Sequence, residues 1–300
     1  MKVFVTGASG FVGAAVVKEL IGAGHSVLGL ARSDDAAKAV AAMGAQVQRG
    51  ELTDLDSLRR GAEQSDGVIH TAFIHDFSKF AENGMIDKHA ITAMGEVMAG
   101  TDKPLVVSSG TAGIAVGQLA TEDVVMPASD FSPRVSEQTV FSYTDKGVRS
   151  MAIRLAPTTH GTSDQGFKAG FVSYAIEIAR QKGVSGYVGD GKNRWTAVHR
   201  VDAAKLYRLA LETGKAGSSY HAVGEEGVMI KDIAAQIGKM LSLPVVSIAP
   251  ENAGEHFGFL GMFLGLDIPA SSAKTQAELG WKPVGPGLLA ELGVAENFRN

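Results

Sequence analysis

The chain contains no cysteine. This excludes a disulfide framework, a thiolate-held zinc site and a cysteine nucleophile, and it fits a reducing compartment, so a cytoplasmic location is the expectation. Dense runs of lysine or arginine are missing too, and the formal net charge is −4. A nucleic-acid or anionic-membrane partner is therefore not expected. No stretch reaches the ~18 consecutive apolar residues needed to span a bilayer. The N-terminal apolar segment is broken by its glycines, Lys18 and Glu19, and the Phe257 to Gly265 segment covers only about half a span. The latter reads as core or as the wall or lid of an apolar pocket, with Phe257 a candidate substrate contact. Internal repeats and low-complexity segments are absent as well.

What is present suits one large domain, or one with a smaller lobe attached: 300 residues, 45% hydrophobic and 20% charged. Near the N-terminus an apolar run over residues 2 to 6 breaks into Gly7-Ala8-Ser9-Gly10-Phe11-Val12-Gly13 and continues in a helical pattern to Leu20. Strand, glycine turn and helix in succession form a dinucleotide site. Glycines let the backbone approach a pyrophosphate, and the free N–H groups and positive end of the helix attract its charge. A second strand, His25 to Ala31, follows where a βαβ unit needs it.

Apolar strands then alternate with helical patterns, which predicts a Rossmann-type α/β fold, a doubly wound parallel sheet. Helices are expected over Asp34 to Met43, over Leu55 to Glu63 with Asp54 as cap, near Met85 to Ala99 and from Pro133 to Lys146; strands are expected at Ala45 to Arg49, Asp66 to Thr71, Lys103 to Ser109 and Arg149 to Leu155. Beyond these the elements shorten. Helices are expected at Phe167 to Gln181, Val201 to Glu212 and Ile230 to Leu241, with strands at Tyr187 to Gly189 and Tyr220 to Val223. The division is a cofactor-binding core over residues 1–160 and a small α+β substrate lobe over 161–300, interleaved with the core.

The end of the second strand bears on cofactor choice. An acid there accepts hydrogen bonds from the ribose 2′-hydroxyl of NAD, whereas a cation fits the 2′-phosphate of NADP. Arg32 and Ser33 favour NADP, since a guanidinium forks onto phosphate oxygens and a hydroxyl adds a donor. Asp34 and Asp35 are the counter-argument and keep NAD as the alternative; their other reading is the cap and first turn of a helix.

Thr6 to Gly13, Asp54-Leu55, His70-Thr71-Ala72, Val107-Ser108-Ser109 and Trp195 to Asp202 together resemble the extended short-chain dehydrogenase/reductase superfamily, in order and spacing through most of the chain. The resemblance implies that Asp54 and Leu55 flank the adenine, that Thr71, Ala72 and Phe73 border the nicotinamide ribose, and that Ser108 and Pro157 line the same cleft. It also implies a Ser or Thr after the fifth strand, here Ser109 with Thr111 nearby, that donates to the substrate oxygen. A Tyr-x-x-x-Lys pair on the next helix would complete the apparatus. That pair is missing: the sequence there reads Ser132-Pro-Arg-Val-Ser136, no Tyr stands between Ser109 and Tyr143, and Tyr143 and Lys146 are three apart and read as surface residues. The chain is thus similar to the atypical extended members that keep the cofactor turn and lose the pair.

Substitutes for the pair are Arg134 and Ser136, which polarise an oxygen electrostatically, or a histidine among His75, His160 and His199. His160 is the favoured one, because the resemblance puts Pro157 to Gly161 at the rim where family members meet nicotinamide or substrate. His75, Asn193, Trp195 and His199 are further substrate-contact candidates; the stretch around Asn193 and Trp195 reads as a polar loop that either grips substrate or packs the lobe. No metal site is expected, since His75-Asp76 and Asp87-Lys-His89 lack ligand spacing. The leading function is an NADP-dependent oxidoreductase of a small carbonyl or alcohol. A sugar-nucleotide epimerase or dehydratase with tightly held cofactor and a non-catalytic NADP(H) sensor remain alternatives. Family members often dimerise through the helices after the fourth and fifth strands, so a homodimer is a further expectation.

Overall fold

In a computed structural model, which describes residues 1–125, 134–164 and 166–294, the chain builds a parallel sheet flanked by helices and a smaller lobe beyond its carboxyl edge. The first half runs β1 (Lys2–Thr6), α1 (Phe11–Gly22), β2 (Ser26–Ala31), α2 (Asp34–Ala42), β3 (Gln46–Arg49), α3 (Leu55–Glu63), β4 (Gly67–His70), α4 (Phe80–Met98), β5 (Pro104–Gly110), α5 (Ser136–Phe141) and β6 (Arg149–Leu155). Then follow β7 (Thr158–Ser163), β8 (Gly166–Ala169), α6 (Phe171–Lys182), β9 (Ser185–Val188), β10 (Arg194–His199), α7 (Arg200–Thr213), β11 (Ser218–Ala222), β12 (Glu225–Met229), α8 (Ile230–Leu241), β13 (Val245–Ile248), α9 (Ala253–Phe257), α10 (Gly261–Leu264), α11 (Ala273–Leu279) and α12 (Leu288–Leu292).

Among the described residues the main sheet has seven strands in the order β11-β6-β5-β4-β1-β2-β3, every pairing parallel. The period-2 alternation of its strands explains why both faces are covered. Val3, Val5, Ile69 and Val106 face a core shared with α1 and α7, while Phe4, Val68, Leu105 and Val107 face one shared with α3, α4 and α5. Successive strands are added on one side of β1 as far as β3 and on its other side from β4 onward, so the carboxyl ends of the parallel β1 and β4 open a crevice at this switch point.

The lobe contains a four-stranded sheet, β12-β10-β7-β8, and the parallel pair β13-β9, packed with α6, α8 and α12 around Trp195, Ile233, Phe257, Leu260 and Leu288. Between its two passages through the lobe the chain returns to the core for α7 and β11.

Several elements differ from the sequence expectations. The helix expected from Phe167 starts at Phe171, because residues 166–169 pair antiparallel with β7 and Gly170, at φ +51°, turns the chain so that the Phe171 N–H donates to the Pro157 carbonyl at 3.0 Å. The presumed loop at Trp195 is the start of β10, held between β7 and β12. α4 begins at Phe80, after a tight turn at Phe77–Lys79 in which Asp76 accepts from the Ser78 N–H at 3.1 Å. The helix expected over Pro133 to Lys146 is shorter: α5 spans Ser136–Phe141 and a separate turn covers Thr144–Lys146, while Ser132 and Pro133 lie outside the described residues. Tyr143 is not a surface residue. It is buried on Gly95 in the α3–α5 core, and its hydroxyl donates to the Thr92 carbonyl at 3.2 Å.

Candidate cofactor and catalytic site

At the switch point Gly7 has φ +67°, and a Cβ there would lie 2.8 Å from the Ala72 nitrogen. A Cβ on Gly13 would stand 2.0 Å from the Gly7 carbonyl oxygen. Only glycine permits this close turn. Gly10 caps α1 with no side-chain hydrogen bond, so the first N–H groups of the helix point outward with no side chain of the cap residue to satisfy them. A cradle of bare backbone donors at a helix start fits a dinucleotide pyrophosphate. Bound NAD(P) would supply the hydride chemistry at such a site. Ala8 is fully buried against Gly29, the Phe11 ring lies 4.6 Å beneath the Arg200 guanidinium, and Val12 packs on the core. Thr71 donates its hydroxyl to the Thr6 carbonyl at 2.8 Å, fixing the facing β4 loop.

A polar chain runs beneath this crevice and joins four elements, α5, α4, β4 and β1, with the loops beside them. The Arg134 Nε donates to the Ser136 hydroxyl at 2.8 Å, and Ser136 donates to Asp87 Oδ2 at 2.5 Å. His70 Nε2 meets Asp87 Oδ1 at 3.1 Å, and His70 Nδ1 meets the Thr6 hydroxyl at 2.7 Å. Thr6 in turn accepts from the Ala72 N–H at 3.3 Å. The Nε2–H tautomer of His70 satisfies every one of these contacts. Burial by itself would raise the pKa of Asp87; the Arg134 charge and the hydrogen bonds from His70 and Ser136 outweigh it and hold the carboxyl below its usual range. Arg134 also donates Nη2 to the Ser108 carbonyl at 2.8 Å and lies 4.2 Å above the Phe73 ring. The guanidinium is thus clamped between the loop after β4 and the end of β5. Ser108 itself donates to the His70 carbonyl at 2.8 Å and meets the buried Tyr207 hydroxyl at 2.6 Å, so it is a structural tie.

Residues 3–223 match the NAD dependent epimerase/dehydratase family. The chain belongs to that family. An uncharacterized protein of Schizosaccharomyces pombe is 48% identical over 299 residues, covering 99% of this chain and 100% of its own length. The sterol-4-alpha-carboxylate 3-dehydrogenase, decarboxylating, of Dictyostelium discoideum is 28% identical over 77% of this chain and 73% of its own length. The UDP-glucose 4-epimerase of Thermus thermophilus, solved in complex with NAD, superposes with a TM-score of 0.76 at 20% identity, covering 100% of this chain and 99% of that one.

For this epimerase/dehydratase member the structure sorts the remaining sequence candidates. Arg32 and Ser33 stand at the end of β2, where Ser33 caps α2 by accepting from the Ala36 N–H at 3.2 Å. Asp34 and Asp35 form the first turn of α2. Asp54 caps α3 through the Ser57 N–H, and Leu55 packs on the core beside it. Pro157 follows β6 and its carbonyl is taken up by Phe171. Thr111 is spoken for by the Thr196 hydroxyl at 3.1 Å. His75 joins an aromatic cluster, edge-on to Phe73 and Phe77; desolvation, then the Arg134 charge, lowers its pKa and keeps it neutral.

His160 does not stand at the rim. It is fully buried, its Nδ1 contacts Glu291 at 2.5 Å and its ring packs edge-on to His199. Desolvation lowers its pKa to about 4. A neutral side chain with no exposed surface is no proton donor to a substrate. His199 caps α7 through the Val201 N–H and faces the same glutamate at 3.7 Å. Asn193 donates its amide to the Leu264 and Leu266 carbonyls, and Trp195 is buried in the lobe core beside Phe171, so of the two readings of that stretch the lobe-packing one describes their contacts. Phe257 lies in the lobe core against His256 and beneath Gly186; its neighbour Phe259 is the residue that reaches the crevice loop, stacked on Phe77 at 4.7 Å. Among the described residues no group of three His, Asp or Glu is arranged for a metal, and no helix is long and apolar enough to cross a membrane.

Sequence reasoning met His70 only as part of the family motif and Asp87 only in a dismissed metal cluster, and gave neither a place in this network. The signal for Asp87 was available: it falls on the buried stripe of α4 with Ile91, Met94 and Met98, where an acid without a partner is excluded.

Proposed function

We propose that this protein is an NADP-dependent oxidoreductase that reduces a small apolar carbonyl compound, with Arg134 in place of the absent Tyr-Lys pair. The observation that carries the reading is the guanidinium clamped between the loop after β4 and the end of β5. Its Nε and Nη2 are held by Ser136 and the Ser108 carbonyl, and Asp87 fixes the assembly from below. A cation held in advance stabilises negative charge as it develops on a carbonyl oxygen, and it needs no reorganisation during the reaction. The Ser109 hydroxyl, on the next residue along β5, adds a hydrogen-bond donor to the same oxygen. The proton that completes the alcohol comes from water. A guanidinium, which carries hydrogen-bond donors and no acceptor, also suits stabilising a carbonyl oxygen better than the abstraction steps of an epimerase. The apolar substrate class rests on the wall formed by Phe73, His75, Phe77, Phe171 and Phe259 next to Arg134.

The test is NADPH consumption with a panel of aliphatic and aryl aldehydes and ketones. Turnover with at least one of them is expected, and Arg134→Ala should lower kcat about 100-fold while leaving NADPH affinity unchanged. Tight NADPH binding without turnover on any carbonyl would instead favour a sensor, and cofactor that copurifies and cycles without net change would favour an epimerase.

A further inference from the structure

The acid that argued for NAD is restrained. Arg49, at the end of β3, lies opposite Ala31 in the sheet register, one residue before Arg32. Its guanidinium spans the loop after β2: Nη1 donates to the Ser33 carbonyl at 2.6 Å and Nη2 to Asp34 Oδ1 at 2.6 Å. Asp35, the other acid, is turned toward Lys38 at 3.8 Å. Arg32 is exposed and has no hydrogen bond or ion pair among the described residues. The side chains of Arg49 and Asp34 are 52% and 85% exposed, and ion pairs so open to water contribute little to folding. Stability therefore gives no reason for a fork that engages both a carbonyl and a carboxylate. Position does, because the end of β2 is where the adenosine ribose of a dinucleotide rests in a sheet of this topology.

We infer that Arg49 is a specificity-determining residue of the cofactor site. It acts in two ways. It holds the Asp34 carboxylate toward β3 and neutralises it, so this acid neither accepts from a 2′-hydroxyl nor repels a 2′-phosphate. It also sets a second guanidinium beside the uncommitted Arg32, which gives the phosphate a two-cation edge. The inference rests on the NADP reading above and adds to it the residue that suppresses the competing NAD contact.

Calorimetric titration of the purified full-length chain with NADPH and with NADH tests it, on the wild type and on Arg49→Gln, Asp34→Asn, the double variant and Arg32→Gln. The expected pattern is an NADPH preference in the wild type that falls about tenfold or more in Arg49→Gln, the worth of one charge-assisted contact. Part of that fall is a gain in NADH affinity from the freed Asp34. Asp34→Asn placed on top of Arg49→Gln removes the NADH gain, while Asp34→Asn alone leaves the preference for NADPH intact or strengthens it. If Arg49→Gln keeps the wild-type ratio while Arg32→Gln lowers it, the role of Arg49 is overturned and the NADP reading stands. A wild type that binds NADH more tightly than NADPH overturns both. A melting temperature of Arg49→Gln close to that of wild type separates the effect on binding from misfolding.

Discussion

Asp87 is where the residue scale is most informative. Its two oxygens are divided between His70 on one side and Ser136, with Arg134 behind it, on the other. Under the proposed function it is a positioning residue that holds the guanidinium through Ser136 and its own charge. Asp87→Asn keeps the shape but aims an amide N–H at groups that are already donors, and it leaves Arg134 without its buried counter-charge. A loss of about 2 kcal/mol in stability is expected, measured by urea denaturation. A fall in kcat on the order of tenfold should accompany it with little change in KM, because a misplaced cation costs the transition state more than the ground state. The pH dependence separates this from generic damage. The folded-state pKa of Asp87 is depressed, so its stabilisation is fully present above the ordinary carboxylate pKa of about 4 and is lost only as pH falls below it. Wild-type kcat should accordingly show no break from this network between roughly pH 6 and 9, the range in which a titrating histidine donor would show one. Arg134 and Ser136 drew notice in the sequence because they stand where the family's Tyr-Lys pair would, and both belong to the hydrogen-bonded network on Asp87. His160 misled because position after a strand says nothing about burial, and burial decides whether an imidazole can act.

Among the elements, those with strong punctuation were legible. α1 follows three glycines, α3 follows its Asp54 cap, and α8 was read at Ile230–Leu241 from spacing alone. The strands of the lobe were not. β7 carries Thr158, Thr159 and His160, and β12 reads Glu225-Glu-Gly-Val-Met229, neither with the apolar alternation of a half-buried strand. Their pairing comes from neighbours distant in sequence, which no local pattern reports. The turn between β1 and α1 is the opposite case, where local chemistry dictates the structure. Gly13→Ala would place a methyl group 2.0 Å from the Gly7 carbonyl, so the turn must open and the helix start retreat from the pyrophosphate. NADPH and NADH affinities should both fall at least about tenfold, with the ratio between them unchanged, as read by the same titrations. An equal loss for both cofactors marks the phosphate cradle, just as an unequal one marks the ribose edge.

At the scale of the whole molecule the C-terminal helix is fastened onto the lobe sheet, and the fastening is sensitive to acid. α12 carries Glu291 between His160 on β7 and His199 at the end of β10, with Asp202, Glu225 and Arg200 as the charged groups nearby. His160 Nε2 is buried without a hydrogen-bond partner, so adding a proton there would bury an unpaired N–H. Desolvation therefore outweighs the attraction of Glu225 and Asp202 and keeps the folded-state pKa at about 4, against an ordinary value of about 6.5. Because the unfolded chain takes up the proton first as pH falls, this stabilisation is complete above about pH 6.5 and is lost progressively down to about 4. Between pH 7.5 and 5 the wild type should lose about 2 kcal/mol from this one site, measured by urea denaturation at each pH. His160→Gln lowers stability at pH 7.5, because its amide cannot reproduce the Glu291 contact, yet it should remove most of that pH dependence. A variant that keeps the full acid slope would place the titrating group elsewhere, with His199 the first candidate because desolvation lowers its pKa in the same cluster.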